Sequence, residues 1–425
     1  MSDEGLAGKH IVVTAGRPRE DIDGVRHYAN HSRPEGQGYA TAAWLAAQGA
    51  HVTVISPRTA LVPPPDCRIV HERASGAPLL SGRDIMEETE SYIVQNPCDA
   101  VLCFASLASI RPKERAANKL KIKSAETSVV SMTVTGNVDV EARAQKWGVP
   151  VVGYDGWQEK FSVFEIPPWL NVELRSLFSV LAEDYPVSPL QEADEDFPAD
   201  LPQILNGKKV ILTSGRTEEQ ITTTGDIITN FSSGRQGYEL ACAFALSGAK
   251  VVFVSGPSLY SPSSGGNVQV VRVREAKSML AACNDFLPAD VFVGVAAVAD
   301  FGCVQPFFLR LAEDQSYDLV LDRNPDILTA MGQHPSLRPS VVVGFAAETD
   351  AKKILFYAKE KLVVKNADII CANLVGAATD KKEGDNQIMF VTRGGGERLC
   401  PVMSKRQAAA TIVREVAGRF ISTAK

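Results

Sequence analysis

Residues 207–238 read GKKVILTSGRTEEQITTTGDIITNFSSGRQGY, and residues 8–39 read GKHIVVTAGRPREDIDGVRHYANHSRPEGQGY. Both stretches contain Gly-Lys, Thr, Gly-Arg, Glu, Ile, Asn, Ser and Gln-Gly-Tyr in the same order, and the register between them changes by at most one residue. The similarity continues in Gly49-Ala50 against Gly248-Ala249. A repeat of this length predicts a duplicated domain and not a solenoid.

Both copies follow one local pattern, in which an apolar strand leads through a polar loop into a small-residue helix that ends at a glycine. In the first copy, residues 10–14 are the strand, residues 39–48 the helix and residues 51–55 the next apolar strand. A terminal glycine is typical of a helix with a left-handed cap. Strand, helix and strand at this spacing predict a parallel sheet. We therefore predict an α/β fold, with two Rossmann-like, doubly wound parallel-sheet domains that form a pseudo-dimer.

The predicted domains are an N-terminal segment at residues 1–160, a helix and acidic linker at residues 161–206, and a C-terminal segment at residues 207–425. Within the linker, apolar residues recur at helical spacing from Leu174 to Leu181, which predicts a helix packed on a domain. Residues 191–200 are acidic and contain proline, which is typical of a solvated linker.

The 425-residue chain has a net charge of −6, so it lacks the basic field that holds nucleic acid. It has no apolar run of the roughly 18 residues that a membrane helix needs, and its first nine residues lack a secretory hydrophobic core. We therefore expect a cytoplasmic protein with neither nucleic acid nor membrane as a partner. Eight cysteines without a CxxC pair disfavour a zinc site or a disulfide framework and favour inert thiols.

A polar loop, Asn230-Phe231-Ser232-Ser233-Gly234, precedes the predicted helix of the C-terminal segment. Its amide, hydroxyls and glycine offer donors to a phosphate or a carboxylate, and the dipole of the helix favours an anion there. A serine N-cap is the alternative explanation. The first loop of neither copy contains the GxGxxG of a dinucleotide site.

More polar groups follow the later apolar strands of the C-terminal segment. They are Ala296-Ala297 with Asp300, Asn324-Pro325-Asp326-Ile327, Gly344-Phe345, and the pair Lys361 and Lys365. Sheets of this kind bind ligands at the carboxyl ends of their strands, and lysines one helical turn apart can both meet a polyphosphate. Each group alone is explained as well by a cap, a turn or a solvated lysine, but together they indicate a ligand site.

In combination and order, these motifs resemble the phosphopantothenoylcysteine synthetase family, which carries out the ligase step of coenzyme A biosynthesis. The family's hallmarks are an Asn-x-Ser-Ser-Gly loop, Ala-Ala-Val-Ala-Asp, a lysine-rich flap, Asn-Pro-Asp-Ile-Leu, Gly-Phe-Ala-Ala-Glu-Thr and paired lysines. The C-terminal segment has nearly all of them. The resemblance implies a homodimeric Rossmann-like enzyme that activates phosphopantothenate with CTP as an acyl-cytidylate, which the amine of cysteine attacks. Mg²⁺ normally accompanies such a triphosphate.

The sequence departs from the family pattern in complementary places. The C-terminal segment has no lysine between Asp300 and Lys352, so the family's flap lysine is absent there. The N-terminal segment has lysines at about the family's spacing, from Lys113 to Lys123. Conversely, the N-terminal segment lacks the paired lysines and has Ser109 in place of Asp300. The family's arginine before the Asn-Ser-Ser-Gly loop is present as Arg26, whereas the C-terminal segment has Asp226 at that position.

We therefore expect one composite site, with a C-terminal nucleotide pocket and a degenerate N-terminal synthetase-like domain that supplies the flap. The resemblance implies three catalytic residues: Lys119, Lys121 and Asn230. It implies that the nucleotide binds to Gly215, Asp300, Asn324, Ile327, Phe345, Lys361 and Lys365. It implies that the substrate phosphate binds to Asn230, Ser232, Ser233, Gly234, Ala296, Ala297 and Arg26. The metal ligands are unknown, and the alternative is an inert N-terminal scaffold with a solvated basic face.

The leading hypothesis is an NTP-dependent carbon-nitrogen ligase that uses CTP, or ATP, with Mg²⁺. Its partners are small molecules, a phosphopantothenate-like acid and a cysteine-like amine, and further assembly into a homo-oligomer stays open. One alternative is a related carboxylate-amine ligase with other substrates, because the N-terminal phosphate loop is altered to Arg33-Pro34-Glu35. The other is a nucleotide-binding protein without turnover, because the nucleotide-binding copy lacks its flap lysine.

Overall fold

The computed structural model describes residues 6–30, 36–59, 61–108, 110–112, 114–116, 128–134, 145–146, 151–155, 160–164, 197–198, 200–223, 225–303, 306, 316–348, 353–374 and 385–422. The predicted linker helix and most of the acidic linker lie outside these residues. Among the described residues, no helix combines the length and the apolar character needed to cross a membrane.

The described residues of the N-terminal segment form a six-stranded sheet and two helices, with further strands. In chain order its elements are β1 (His10–Thr14), β2 (Glu20–Asp21), β3 (Arg26–Asn30), α1 (Gln37–Ala47), β4 (His51–Ile55), β5 (Cys67–Val70), α2 (Gly82–Gln95), β6 (Ala100–Cys103), β7 (Ile110–Pro112), β8 (Ser128–Val134), β9 (Val151–Asp155) and β10 (Lys160–Phe164). The sheet has the strand order β10-β9-β6-β1-β4-β5. All its pairings are parallel except that of β10 with β9.

The C-terminal segment repeats this plan with a larger sheet. After a 3₁₀ turn (Gln203–Leu205), its elements are β11 (Lys209–Ser214), β12 (Glu218–Gln220), β13 (Asp226–Asn230), α3 (Arg235–Leu246), β14 (Lys250–Ser255), β15 (Val268–Arg272), α4 (Ala276–Asp285), β16 (Val291–Gly294), β17 (Phe301–Cys303), β18 (Ser316–Arg323), α5 (Ile327–Gly332), β19 (Val341–Glu348), α6 (Ile354–Val364), β20 (Ile369–Leu374), β21 (Asp385–Asn386), β22 (Met389–Thr392), β23 (Glu397–Leu399), β24 (Met403–Ser404) and α7 (Lys405–Ser422). The sheet order is β15-β14-β11-β16-β19-β20-β22-β23. Within this sheet, the six neighbouring strands β15, β14, β11, β16, β19 and β20 are all parallel.

Apolar residues fill both faces of the C-terminal sheet, because successive side chains of a strand point to opposite faces. Val210 and Leu212 of β11 belong to the cluster that includes α3 and α7. Ile211, between them, belongs to the cluster on the other face, with α4, α5 and α6. Helices on both faces explain why the strands are continuous apolar runs. The prediction of an α/β fold with parallel, Rossmann-like sheets is confirmed.

Two smaller sheets combine strands from the two segments. One has the order β12-β13-β3-β2, and the other has the order β17-β18-β8-β7. In the first, β13 and β3 run antiparallel, with Asp226 opposite Asn30 and Asn230 opposite Arg26. An apolar cluster that includes Tyr28, Ile228 and Phe301 lies between the sheets. The two segments are therefore joined by backbone pairing and by a shared core.

The helix boundaries differ slightly from the sequence prediction. Helix α1 begins at Gln37, two residues before the predicted start, and it ends at Ala47. Gly49 follows with φ +91°, as a left-handed cap requires. Strand β10 extends to Phe164, just beyond the predicted end of the N-terminal domain at residue 160. The division into domains stays a prediction.

Candidate active site

A cavity of about 500 Å³ opens at the carboxyl ends of β16 and β19, in the C-terminal sheet. This is the edge where parallel sheets of this class bind ligands. The cavity wall includes most of the residues predicted to bind a nucleotide, which are Asp300, Asn324, Ile327, Phe345, Lys361 and Lys365. Ala296, predicted for the substrate phosphate, also lines it.

The Asn-Pro-Asp turn of the cavity wall is fixed by hydrogen bonds. The Asn324 amide donates to the Ala299 carbonyl at 2.9 Å, and the Asn324 backbone N–H donates to the Asp300 carbonyl at 3.0 Å. Asp326 is the N-cap of α5, because its Oδ1 accepts the Thr329 N–H at 2.8 Å. The turn thus holds the end of β18 against the strand that follows Asp300.

The paired lysines of α6 both reach the cavity and both have partners there. Lys361 Nζ donates to the Phe345 carbonyl at 2.8 Å, and Lys365 forms an ion pair with Asp326. Burial alone would raise the pKa of Asp326, but the hydrogen bonds from Lys365 and Thr329 outweigh it and hold the pKa below its ordinary value. A polyphosphate would meet two cations already held in position.

The predicted phosphate loop lies between β13 and α3. Gly234 is the N-cap of α3 and has φ +78°, and a Cβ there would lie 1.9 Å from Ser258 Oγ, so only glycine fits. Ser232 Oγ accepts the Gly234 N–H at 3.2 Å, and Ser233 Oγ accepts the Arg235 N–H at 3.4 Å. Both serines thus accept backbone N–H groups at the helix start, but the N-cap is Gly234, with no side-chain cap hydrogen bond, so the serine N-cap of the alternative explanation is not formed.

Asn230 ends β13 and points to the cavity side of this loop. Its Nδ2 donates to the Val298 carbonyl at 2.9 Å. Its Oδ1 is buried and has no hydrogen-bond partner among the described residues. Leaving a buried amide oxygen unpaired costs free energy, which a ligand donor could recover.

Arg26 belongs to the N-terminal segment, yet it reaches this site. On β3 it lies opposite Asn230, and its Nη2 donates to Asp300 Oδ2 at 2.5 Å. Its Nη1 lies 3.4 Å from Oδ2 of Asp23, which is fully buried. The Arg26 side chain is 7% exposed, whereas that of Asp300 is 48% exposed. A buried guanidinium from one segment is therefore aimed at a half-exposed carboxylate of the other.

The opposite end of the same strand pair has different chemistry. There the Asn30 amide donates to Asp226 Oδ1 at 2.9 Å, and Thr222 Oγ1 donates to Asp226 Oδ2 at 2.8 Å. Ser106 Oγ donates to the Asn30 carbonyl at 3.1 Å. The counterparts of Asn230 and Arg26 thus bond to each other.

The lysine-rich stretch with Lys119 and Lys121 lies outside the described residues. In sequence it falls between β7 and β8, which are described. Pro112 of β7 pairs with Met132, and Ser128 of β8 pairs with Leu321. Leu321 stands two residues before Arg323 in the cavity wall. The described start of β8 therefore lies close to the cavity wall.

Among the described residues predicted for the site, those that do not line the cavity are Arg26, Asn230, Ser232, Ser233, Gly234, Gly215 and Ala297. Gly215 and Ala297 contact each other beside it. The Gly215 carbonyl accepts the Ala297 N–H at 2.9 Å, which ties the first loop to the strand end after β16. Gly215 has φ +73°, and a Cβ there would lie 2.7 Å from the Gly256 carbonyl oxygen. Their role is to shape the backbone under the site.

The predicted site residues did not include several polar residues of the cavity wall, among them Arg323, Tyr357 and Glu360. Tyr357 lies one helical turn before Lys361 on α6, so helical spacing could have identified it. Glu360 precedes Lys361 directly, and Arg323 precedes the Asn-Pro-Asp turn, where residue type alone gave no signal.

The cysteines and acidic residues give no sign of a metal cage. Among the residues described, no group of three or more His, Cys, Asp or Glu side chains could hold an ion. All eight cysteines lie in the described residues, and none of them is in a disulfide. Burial raises the pKa of Cys67 and Cys98 to about 11 and that of Cys283 to about 12, so these thiols are protonated at neutral pH.

A family model described as "DNA/pantothenate metabolism flavoprotein C-terminal domain" matches residues 6–155 and again residues 205–420. The chain is 34% identical over 223 residues to the coenzyme A biosynthesis bifunctional protein CoaBC of Haemophilus influenzae, covering 52% of this chain and 54% of that protein. It is 35% identical over 236 residues to the Bacillus subtilis protein of the same name, covering 55% of this chain and 56% of that protein. The chain thus spans about half the length of these curated relatives.

Among solved structures, the C-terminal domain of a CoaBC protein is 31% identical to the matched part, with a TM-score of 0.43, and covers 52% of this chain and 99% of that domain. The family model is matched by two segments that together make up well over half of the chain. This chain therefore belongs to the DNA/pantothenate metabolism flavoprotein C-terminal domain family.

Proposed function

We propose that this chain is a nucleotide-dependent ligase that joins 4′-phosphopantothenate to cysteine in coenzyme A biosynthesis, with CTP as the activating nucleotide. The observation that carries the proposal is the cavity at the sheet edge. Residues from three separate motifs, represented by Asp300, Asn324 and Lys361, converge on it. Motifs far apart in sequence that meet in one cavity support a shared ligand.

The named relatives support the same assignment. Proteins named for coenzyme A biosynthesis match this chain at 34% and 35% identity, over about half of their length. The substrates and the CTP preference rest on the family resemblance of the motifs in the C-terminal segment.

The reaction needs two balanced steps. A carboxylate oxygen of the acid bonds to the α-phosphorus while the bond from that phosphorus to the β-bridging oxygen breaks, and pyrophosphate leaves. The amine nitrogen then bonds to the acyl carbon, the bond from that carbon to the phosphate oxygen breaks, and the nucleoside monophosphate leaves with the electron pair. The amine proton passes to water. Such chemistry depends mainly on alignment and on neutralisation of phosphate charge.

The chain's own groups supply both functions. Lys361 and Lys365 provide positive charge for the nucleotide phosphates. The hydroxyls of Ser232 and Ser233 can donate to the phosphate of the acid, and the unpaired Asn230 Oδ1 can accept a hydrogen bond from a ligand donor. Lys119 and Lys121 complete the flap in this proposal.

We further propose that the two segments are a duplicated pair that forms a pseudo-dimer with one working site per chain. Three observations support this arrangement. Arg26 of the N-terminal segment contacts Asp300 of the C-terminal segment, and Ser128 of the N-terminal segment pairs with Leu321, two residues before Arg323 of the cavity wall. At the opposite end, Asn30 is bonded to Asp226, so the counterpart groups are engaged with each other.

Magnesium fits the donor set of the cavity. Mg²⁺ on a triphosphate takes one or two carboxylates and completes its shell with phosphate oxygens and water. The cavity wall offers Asp300 and Glu360 as such carboxylates. Bound there, the ion would neutralise phosphate charge.

The test is pyrophosphate release by the full chain, with CTP or ATP, and with phosphopantothenate and cysteine present or omitted in turn. We expect release that requires phosphopantothenate and is fastest with CTP. Release with another acid only would indicate the related ligase. No release under any combination would favour the nucleotide-binding protein, which the missing lysine between Asp300 and Lys352 also suggests.

A further inference from the structure

Arg323 is a cation of the cavity wall that none of the family motifs includes. It is the last residue of β18, directly opposite Phe301 of β17 in the antiparallel pair. Its side chain is exposed and lines the cavity beside Asn324. The position of the Arg323 backbone is fixed on both sides. Arg323 pairs with Phe301, and the next residue, Asn324, donates its backbone N–H to the Asp300 carbonyl.

Two guanidinium groups lie at this corner, one from each segment. The Arg323 guanidinium carbon is 5.7 Å from the centre of the Phe301 ring, and that of Arg26 is 5.8 Å from the same centre. Arg26 is held by Asp300 and by the buried Asp23. Arg26 is therefore held in place by two carboxylates, and Arg323 brings a second guanidinium, with an exposed side chain, to the same ring.

The position of Arg323 differs from that of the paired lysines. Lys361 and Lys365 approach from α6, whereas Arg323 ends β18, two residues after Leu321, which pairs with Ser128 of the N-terminal segment. The C-terminal segment has no lysine between Asp300 and Lys352. Arg323 therefore adds positive charge to the cavity wall from an element other than the helix of the paired lysines.

The chemistry of the guanidinium selects its ligand. Its planar fork matches the oxygens of a phosphate, and it cannot accept the hydrogen bonds that sugar hydroxyls donate. We propose that Arg323 binds the β- and γ-phosphates of the nucleotide, the part that leaves as pyrophosphate. This inference rests on the proposed assignment of the cavity to a nucleoside triphosphate.

The test compares nucleotides with and without those phosphates. Binding of CTP and of CMP to the full chain is measured by calorimetry for the wild type, Arg323→Gln and Arg323→Lys. The control is Arg58→Gln, at an exposed arginine of the N-terminal segment with one surface ion pair. We expect Arg323→Gln to weaken CTP about tenfold, as loss of one charge-assisted contact at an exposed site should, and to leave CMP within about twofold. Arg323→Lys should lie between, because it keeps the charge and loses the fork.

Equal weakening of CTP and CMP by Arg323→Gln, or no weakening of either, would overturn the inference. Weakening of CTP by the Arg58→Gln control would do the same, because it would mark the effect as general electrostatics. Wild-type protein that binds neither CTP nor ATP would overturn the inference and the proposed function together. Wild-type protein that binds CTP but releases no pyrophosphate would overturn the ligase alone and leave the phosphate comparison decisive for Arg323.

Discussion

Arg26 donates a 2.5 Å hydrogen bond to Asp300, which lies 274 residues further along the chain. The arginine is buried between two carboxylates, and the aspartate is half-exposed in the wall of the cavity. Burying the charge of an arginine away from water costs free energy unless the charge is paired. The position of Arg26 therefore depends on both acidic partners. This pair joins the proposed nucleotide pocket to the other segment of the chain.

The pair gives a first prediction about coupling. Arg26→Lys and Asp300→Asn should each lower kcat/KM for ligation about a hundredfold, the usual cost of one charged contact in a catalytic site. Because the two side chains contact each other, the double variant should lose far less than the product of the single losses. Steady-state kinetics of the four proteins measures this. Multiplicative losses would mean that the two residues act independently. Ser109→Ala, at the sequence counterpart of Asp300, should keep most activity.

A second prediction contrasts the two matched asparagines. Asn230→Ala should lower ligation about a hundredfold, because it removes the buried amide whose Nδ2 orders the Val298 carbonyl of the cavity wall and whose Oδ1 is left for a ligand donor. Asn30→Ala should keep activity within a few fold and should lower the melting temperature, because buried Asp226 loses a hydrogen-bond partner. Turnover and thermal unfolding of both variants separate the two roles. Similar loss of turnover in both would point to two working sites.

A third prediction concerns the flap lysines. Changing Lys119 and Lys121 together to Ala should slow acyl-nucleotide formation roughly a hundredfold and change nucleotide affinity little, because their contacts strengthen in the transition state. Single-turnover kinetics and equilibrium binding report the two quantities. Lys146→Ala is the control, since this exposed lysine pairs with Glu90 on the surface. A double variant with wild-type rates would leave the N-terminal segment as a scaffold.

A fourth prediction concerns stability against pH. Burial raises the pKa of Glu20 from 4.5 to about 7, although its carboxylate accepts the Gly82 N–H at 3.0 Å. The folded state therefore binds more protons than the unfolded state between these values, and this group makes the protein less stable as pH rises through that range. Glu20→Gln removes this titrating group. The free energy of unfolding of the variant minus that of the wild type should therefore increase from pH 4.5 to pH 8, by about 3 kcal/mol at most. A difference between the two proteins that stays constant with pH would contradict the assignment.

The sequence predicted the parts of the fold that are coded locally. Continuous apolar runs such as His51–Ile55 predicted buried parallel strands, and glycines such as Gly49 predicted helix ends. The residues predicted to bind a nucleotide, among them Asp300 and Lys365, lie around one cavity because parallel strands place their carboxyl ends together.

The mixed sheets could not be derived from local patterns. Pairing of Asn230 with Arg26 and of Leu321 with Ser128 joins residues that are far apart in sequence, and register over such distances is set by the shared core. Arg323 was missed for a related reason. A charged residue at the end of a strand is ordinary in isolation, and only the strand opposite shows that it faces the cavity.

The central claim is that each chain has one working site, built from both segments. The most direct test mixes the enzyme with excess CTP and phosphopantothenate and omits cysteine, so that each site forms one acyl-nucleotide and stops. The amount of pyrophosphate released in this first turnover then counts the sites. We predict one pyrophosphate per chain, and its loss in Asp300→Asn. Two pyrophosphates per chain, or one that persists in Asp300→Asn, would contradict the account.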